Sequence, residues 1–264
     1  MGLIRKSLNG LGELERLIGA RARSWRHRRR YGQAAPHPYE VIQVDPADIE
    51  YCTLPSLMAQ LGLSWHGCHV VDGNWDRRRT HEGVWYARDF DPPVLAAFED
   101  HALYRSMVAH FEEDVPWPAT DWYRWIEETA DTPDQYSDIE TMERRLAAVD
   151  ELFDRVASDG YRTQRQLASE EDPPLGRKWF PCPEYYEIDV NISRDGELLF
   201  NFNGRHRLAV AKILDLERIP VRVFARHERW QRRRTEVLEA EGCDAAGTGH
   251  PDTERLRSGS GPRH

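Results

Sequence analysis

The sequence predicts an α/β protein, and three stretches carry that prediction. Tyr185–Ser193 alternates apolar and polar residues, with Tyr186, Ile188, Val190 and Ile192 on one strand face and Glu187, Asp189 and Asn191 on the other. Arg194-Asp195-Gly196-Glu197 adds an Asp-Gly hairpin turn, and Leu198–Phe202 is the return strand. Ile139, Met142, Leu146, Val149, Leu152, Phe153 and Val156 recur at three- and four-residue steps, a helical stripe that Gly160 stops.

From the N-terminus, residues 1–32 read as a basic amphipathic helix. Ile4, Leu8, Leu11, Leu14 and Ile18 share one face, and Arg21, Arg23, Arg26, Arg28, Arg29 and Arg30 follow, interleaved with Trp25 and Tyr31. Gln33–Pro38 is a linker rich in Pro and small residues. Tyr39–Val44 alternates like a strand, Asp45-Pro46 turns, Pro55–Leu61 is a helix or turn, and Gly67–Val71 is a second short strand. Residues 93–160 read as a helical insertion. Val94, Ala97, Phe98, His101, Tyr104 and Val108 suit a first helix, and Trp122, Trp125 and Ile126 a second, with the tryptophans as core. After the polar loop Ser169–Gly176 and the hairpin come a helix over Arg205–Leu214, a strand over Ile219–Phe224 and a charged helix over Glu228–Glu239. Residues 231–264 thus divide into a charged helix and, from 242, a tail with little to bury that is expected to be disordered.

Composition narrows the function classes. A chain of 264 residues suits one large domain or two small ones. No apolar run of about 18 residues exists, which excludes a transmembrane helix. The four cysteines, at positions 52, 68, 182 and 243, form no C-x-x-C pair, so a reducing, cytoplasmic setting is expected and a disulfide framework is not. His66, Cys68 and His69 are too close on a strand to share a face, so no zinc site is expected. Cys182, in Pro-Cys-Pro, has no partner that would make it catalytic. The first residues match neither a secretory signal nor the myristoylation pattern, since Lys6 stands where Ser or Thr is needed. Net charge is −9, yet 33 of the 36 basic residues are arginine, a balance that resembles halophilic archaea or high-GC bacteria. Overall acidity argues against a dedicated duplex-DNA binder. The arginine-rich N-terminal helix has three readings: docked on the domain, peripheral to an anionic membrane surface through residues 3–30, or in contact with nucleic acid.

The stretch that points to chemistry runs from Phe202 to Lys212. A strand meets Gly204, and Arg205, His206 and Arg207 then open a helix. Glycine permits close backbone approach, the helix start offers unpaired N–H groups, and guanidinium groups bind phosphate in two-point fashion. Asn203, Gly204, Arg205, His206 and Arg207 are therefore the expected phosphate-binding set. The alternative is that Arg205 and Arg207 merely pair with carboxylates of the adjacent strand. Asp76 is the expected general base and Asp72 the second choice, with a capped turn held by surface ion pairs as their alternative. Glu187 and Asp189 are expected to orient the arginines, and His227 to touch a phosphate or cap the last helix. No protein-held metal is expected; magnesium would come with a nucleotide.

The residues from Glu187 to Trp230, with Gly204-Arg205-His206-Arg207 at a strand-to-helix turn and Ile219-Pro220-Val221 as the next strand, resemble the ParB/sulfiredoxin fold. The resemblance implies a core of short mixed strands and helices over residues 33–92 and 161–230, interrupted by the 93–160 insertion. Arg205 stands where sulfiredoxins carry their reactive cysteine, which excludes that chemistry. No helix-turn-helix follows, which removes the main support for a partition role. What remains implied is binding of ATP, ADP or CTP, with phosphoryl transfer to a small hydroxyl compound as in the free-serine kinases of this superfamily. An alternative implication is a non-catalytic accessory role in cell-surface glycan or lipid-linked oligosaccharide (N-glycan) assembly.

Overall fold

The computed structural model describes residues 18–54, 56–80, 94–129, 139–169, 182–240 and 249–257. Ile4, Leu8, Leu11, Leu14, most of the Ser169–Gly176 loop and Cys243 lie outside the described residues.

The protein is mixed α/β. A helix covers residues 18–31 (α1). The strands are β1 (Val41–Val44), β2 (Tyr51–Leu54), β3 (His69–Val71), β4 (Arg79–Thr80), β5 (Val94–Ala97), β6 (Ile188–Ile192), β7 (Leu198–Phe200) and β8 (Ile219–His227). The helices are α2 (Leu57–Leu61), α3 (Ala102–Glu112), α4 (Asp121–Thr129), α5 (Ile139–Asp159), α6 (Gln164–Leu167), α7 (Arg205–Ile213), α8 (Glu228–Glu239) and α9 (Pro251–Arg257). One sheet runs β1-β8-β6-β7-β2-β5-β4, with β3 continuing the β1 side of the long strand β8. Its centre is the parallel pair β6–β8, whose register slips between Val190 and Asn191. The antiparallel hairpin β6–β7 follows from Gly196, which holds φ 101° at the turn.

One sheet face carries Ile188, Val190, Ile192, Val221 and Val223 into a core shared with Leu103 and Met107 of α3, Trp122 of α4, Met142, Leu146 and Val149 of α5, and Leu208 of α7. The stripe from Met142 to Val156 is thus the buried side of α5, and Gly160 ends it at φ 78°. The other face of β6 is polar but equally buried. Asp189 makes a two-point pair with Arg222, Oδ1 to Nε 2.7 Å and Oδ2 to Nη2 2.8 Å, both side chains fully enclosed. Arg222 lies under the rings of Tyr185, Trp65 and Phe224. Asn191 donates to Thr53 and Asn201, and Asn201 in turn accepts from the Leu57 amide. Polar atoms carried inside need partners of this kind, because an unpaired one costs about 1–3 kcal/mol.

Three expectations are corrected. Val94–Ala97 is strand β5, not the start of a helix: all four residues pair with β2, and a short apolar run has no period that separates strand from helix. The strand β2, which the sequence pattern does not announce, sits inside the sheet between β7 and β5. Residues 93–160 are consequently not a separable insertion, since β5 belongs to the sheet and α3–α5 share its core. Finally, part of the tail is ordered. Helix α9 brings Asp252, 0% exposed, against Arg226, Arg234 and the Trp230 indole N–H.

Candidate functional site

The Phe202–Lys212 stretch folds as its composition demands. After β7, Asn203 is held at the edge of β6: its Nδ2 donates to the Glu187 carbonyl at 2.8 Å, and its own carbonyl accepts from the Asp189 amide at 3.0 Å. Gly204 is the N-cap of α7 at φ 90°, a left-handed conformation that side-chain-bearing residues adopt only at a cost. It is also packed tight. A Cβ there would stand 2.9 Å from Ile188 Cα and 3.1 Å from Arg207 Nη2. The Leu208 amide is the first to find an intrahelical acceptor, the Gly204 carbonyl. No side chain caps the helix and no acidic residue lies in its first turn, so the N–H groups of Arg205–Arg207 have no intrahelical acceptor and the dipole end is uncompensated within α7.

Other helices add positive charge to this corner. His101, N-cap of α3, accepts from the Leu103 amide through Nδ1. Burial, then the charges of Arg205 and Arg105, push His101 down to about 3. Burial, then Arg205, Arg145 of α5, His101 and Arg207, push His206 down to about 3 as well. Both imidazoles are therefore neutral near pH 7. Arg205 makes no hydrogen bond or ion pair with any described residue. The thiol of Cys52 is raised to about 12, chiefly by burial, with Arg205 pulling it down and Asp100 pushing it up. Phe202, 46% exposed, flanks the turn on the strand side.

Arg207 leaves the group it was expected to join. Its side chain turns under Gly204, where Nη2 donates to the Tyr186 carbonyl and Nη1 lies 3.6 Å from Glu187 Oε2. Glu187 Oε1 accepts from the Gln164 amide at 2.6 Å, tying α6 to the same brace. A cavity of about 30 Å³ lies beside it, lined by Val156, Tyr161, Leu167 and Arg207, room for little more than one water. Glu187 thus meets Arg207 in an ion pair that holds the guanidinium toward the backbone, the alternative of pairing with a carboxylate of the adjacent strand. Asp189 orients Arg222 instead.

Asp72, Asp76 and His227 gather elsewhere. Asp76 accepts from the Arg194 backbone at 2.7 Å, from its Nε at 3.0 Å and from its Nη2 at 2.7 Å. Burial works against its charge, yet these Arg194 contacts hold its carboxyl below the usual range. His227 caps α8 by accepting from the Arg229 amide, and its Nε2 faces the Gly73 carbonyl at 3.0 Å. Asp72 is exposed, 4.0 Å from His227. Arg194 stands two residues beyond the last residue of β6, Ile192, whereas Gly204 packs on the first, Ile188. Four residue steps of extended strand, about 13 Å, part the two ends. The expected general base and the phosphate turn are therefore not one site. Asp76 ties the β3–β4 connection to the hairpin. Among the described residues no three His, Cys, Asp or Glu side chains gather as a metal set.

No family model, curated protein or solved structure matches the chain. The corner at α7 therefore rests on its own geometry. Sequence reasoning found Asn203–His206 because they are contiguous. It missed Arg145 and saw His101 only as part of a helical stripe, because folding alone brings three separate helices together there.

Proposed function

We propose that the corner at the start of α7 binds the phosphates of a nucleoside di- or triphosphate, and that the chain carries a ParB/sulfiredoxin-like core in the cytoplasm. The observation that carries the reading is Arg205: a guanidinium with no acidic partner among the described residues, on the uncapped first turn of a helix, beside His206, His101 and Arg145. A guanidinium on an uncapped helix start favours a phosphate, and neutral imidazoles add hydrogen bonds without charge. Phe202 offers a ring on which a base can stack. The Gly204-Arg205-His206-Arg207 resemblance points to ATP, ADP or CTP. Magnesium fits as a companion of the nucleotide, since that ion is commonly held in large part by phosphate oxygens and water.

Binding, rather than phosphoryl transfer, is what this geometry supports, because neither Asp72 nor Asp76 reaches the corner. Isothermal titration with ATP, ADP and CTP, with and without magnesium, tests it. Micromolar binding by at least one nucleotide, weakened about tenfold or more in Arg205→Ala, is the expected result. Absence of heat with all three would remove the reading.

A further inference from the structure

Helix α1 has two faces with different fates. Ala20 and Tyr31 are buried against the domain, Arg23 donates to the Gly67 carbonyl at 3.3 Å, and Ser24 donates to the Pro36 carbonyl at 3.4 Å. Burial, opposed in part by a Cys68 backbone contact, lowers His27 on the same side. At about 100° per residue, Ile18 and Trp25 point away from this docked face. Both are 59% exposed, the highest values among the exposed large hydrophobic residues.

Around these two apolar residues the exposed positions, Ala22 apart, are basic: Arg21 and Arg28 on one flank, Arg26 on the other, and Arg29 stacked over the Trp25 ring at 4.7 Å. Arg21, Arg28 and Arg29 form no ion pair with any described residue. Arg30, by contrast, is committed to Glu228 at 2.5 Å. An exposed Trp and Ile ringed by unpaired guanidiniums, on a chain of net charge −9, is a local reversal of the protein's own field. Apolar side chains at the centre favour the acyl boundary, and the arginines favour anionic headgroups. No helix among the described residues is long and apolar enough to cross a membrane, so the contact this face fits is peripheral.

We propose that the outer face of α1 docks the protein on an anionic lipid bilayer, with Trp25 and Ile18 inserted and Arg21, Arg28 and Arg29 on the headgroups. This surface is separate from the α7 corner and stands or falls independently of nucleotide binding.

The test uses the full chain with vesicles of phosphatidylcholine alone and of phosphatidylcholine with phosphatidylglycerol, read by co-sedimentation. Binding is expected only to the mixed vesicles and to weaken with salt. Arg21→Gln with Arg28→Gln should lower it about tenfold or more, and Trp25→Ala about tenfold. All three substitutions are on exposed positions, so melting temperatures should match the parent protein, and Arg205→Ala should bind vesicles as the parent does. Equal binding to both vesicle types, no binding to either, or indifference to these variants overturns the proposal. So does a salt-dependent shift of nucleic acid, lost in Arg21→Gln with Arg28→Gln, without vesicle binding.

Discussion

Asp252 and Arg226 form a two-point ion pair that no solvent reaches, with Arg226 Nε donating to Asp252 Oδ2 at 3.0 Å and Nη2 to Oδ1. Arg226 also meets Glu40 at 2.9 Å, and Arg234 reaches both acids. Burial alone would raise the Asp252 carboxyl, but the two guanidiniums hold it well below the carboxylate range. Two acids and two arginines thus join the residue before β1 to β8, α8 and α9. Asp252→Ala leaves two buried cations short of a partner and should destabilise the protein by about 3–5 kcal/mol in urea unfolding. A disordered tail would instead make this substitution silent.

Gly204 carries two constraints, its φ of 90° and the close approach of Ile188. Gly204→Ala should cost about 1–3 kcal/mol of stability and also impair nucleotide binding. A variant that melts as the parent does would show that the turn relaxes freely.

The two arginines of the turn should separate cleanly. Arg205→Ala removes no hydrogen bond or ion pair to a described residue and should leave unfolding unchanged within about 0.5 kcal/mol while weakening nucleotide affinity about tenfold or more. Arg207→Ala strips the brace on Glu187 and the Tyr186 carbonyl and should destabilise the protein by about 2–4 kcal/mol. Equal behaviour of the pair in denaturation and titration would contradict the division.

Asp76→Asn should loosen the hold on Arg194, lowering stability by about 1–3 kcal/mol, and leave nucleotide affinity unchanged. Loss of affinity with normal stability would return Asp76 to the phosphate corner.

Acid should unfold the protein partly through its histidines. Burial pushes His69 to about 4 and His101 and His206 to about 3, against an unfolded value near 6.5. Between those values the unfolded chain binds more protons, so stability is full above about pH 6.5 and falls as pH drops, by up to about 1.4 kcal/mol per pH unit for each group. His206→Gln should flatten that slope in denaturation curves taken between pH 4 and pH 7. An unchanged slope would mean that His206 titrates as in the unfolded chain.

Much of the architecture is legible in the sequence because it is set locally. The β6–β7 hairpin follows from alternation and Asp195-Gly196, α5 from its stripe and Gly160, α7 from the glycine that precedes it, and α8 from its charged periodicity. The phosphate set was legible only as far as it was contiguous: Asn203–His206 stay at the corner, while Arg207, one residue on, turns inward because Glu187 is there to meet it.

By itself, then, the sequence determined the α/β class, the turn at Gly204 and the arginine-dense segment before Tyr31, all of which depend on neighbours within a few residues. Tertiary structure decided the partners of the charges. Arg234 meets Glu40 across 194 residues, Asp76 meets Arg194 across 118, and α9 is ordered because Asp252 completes a buried pair. A charged side chain carries no periodic signal that names its partner. Desolvation makes that partner obligatory only once the sheet and helices have closed around it.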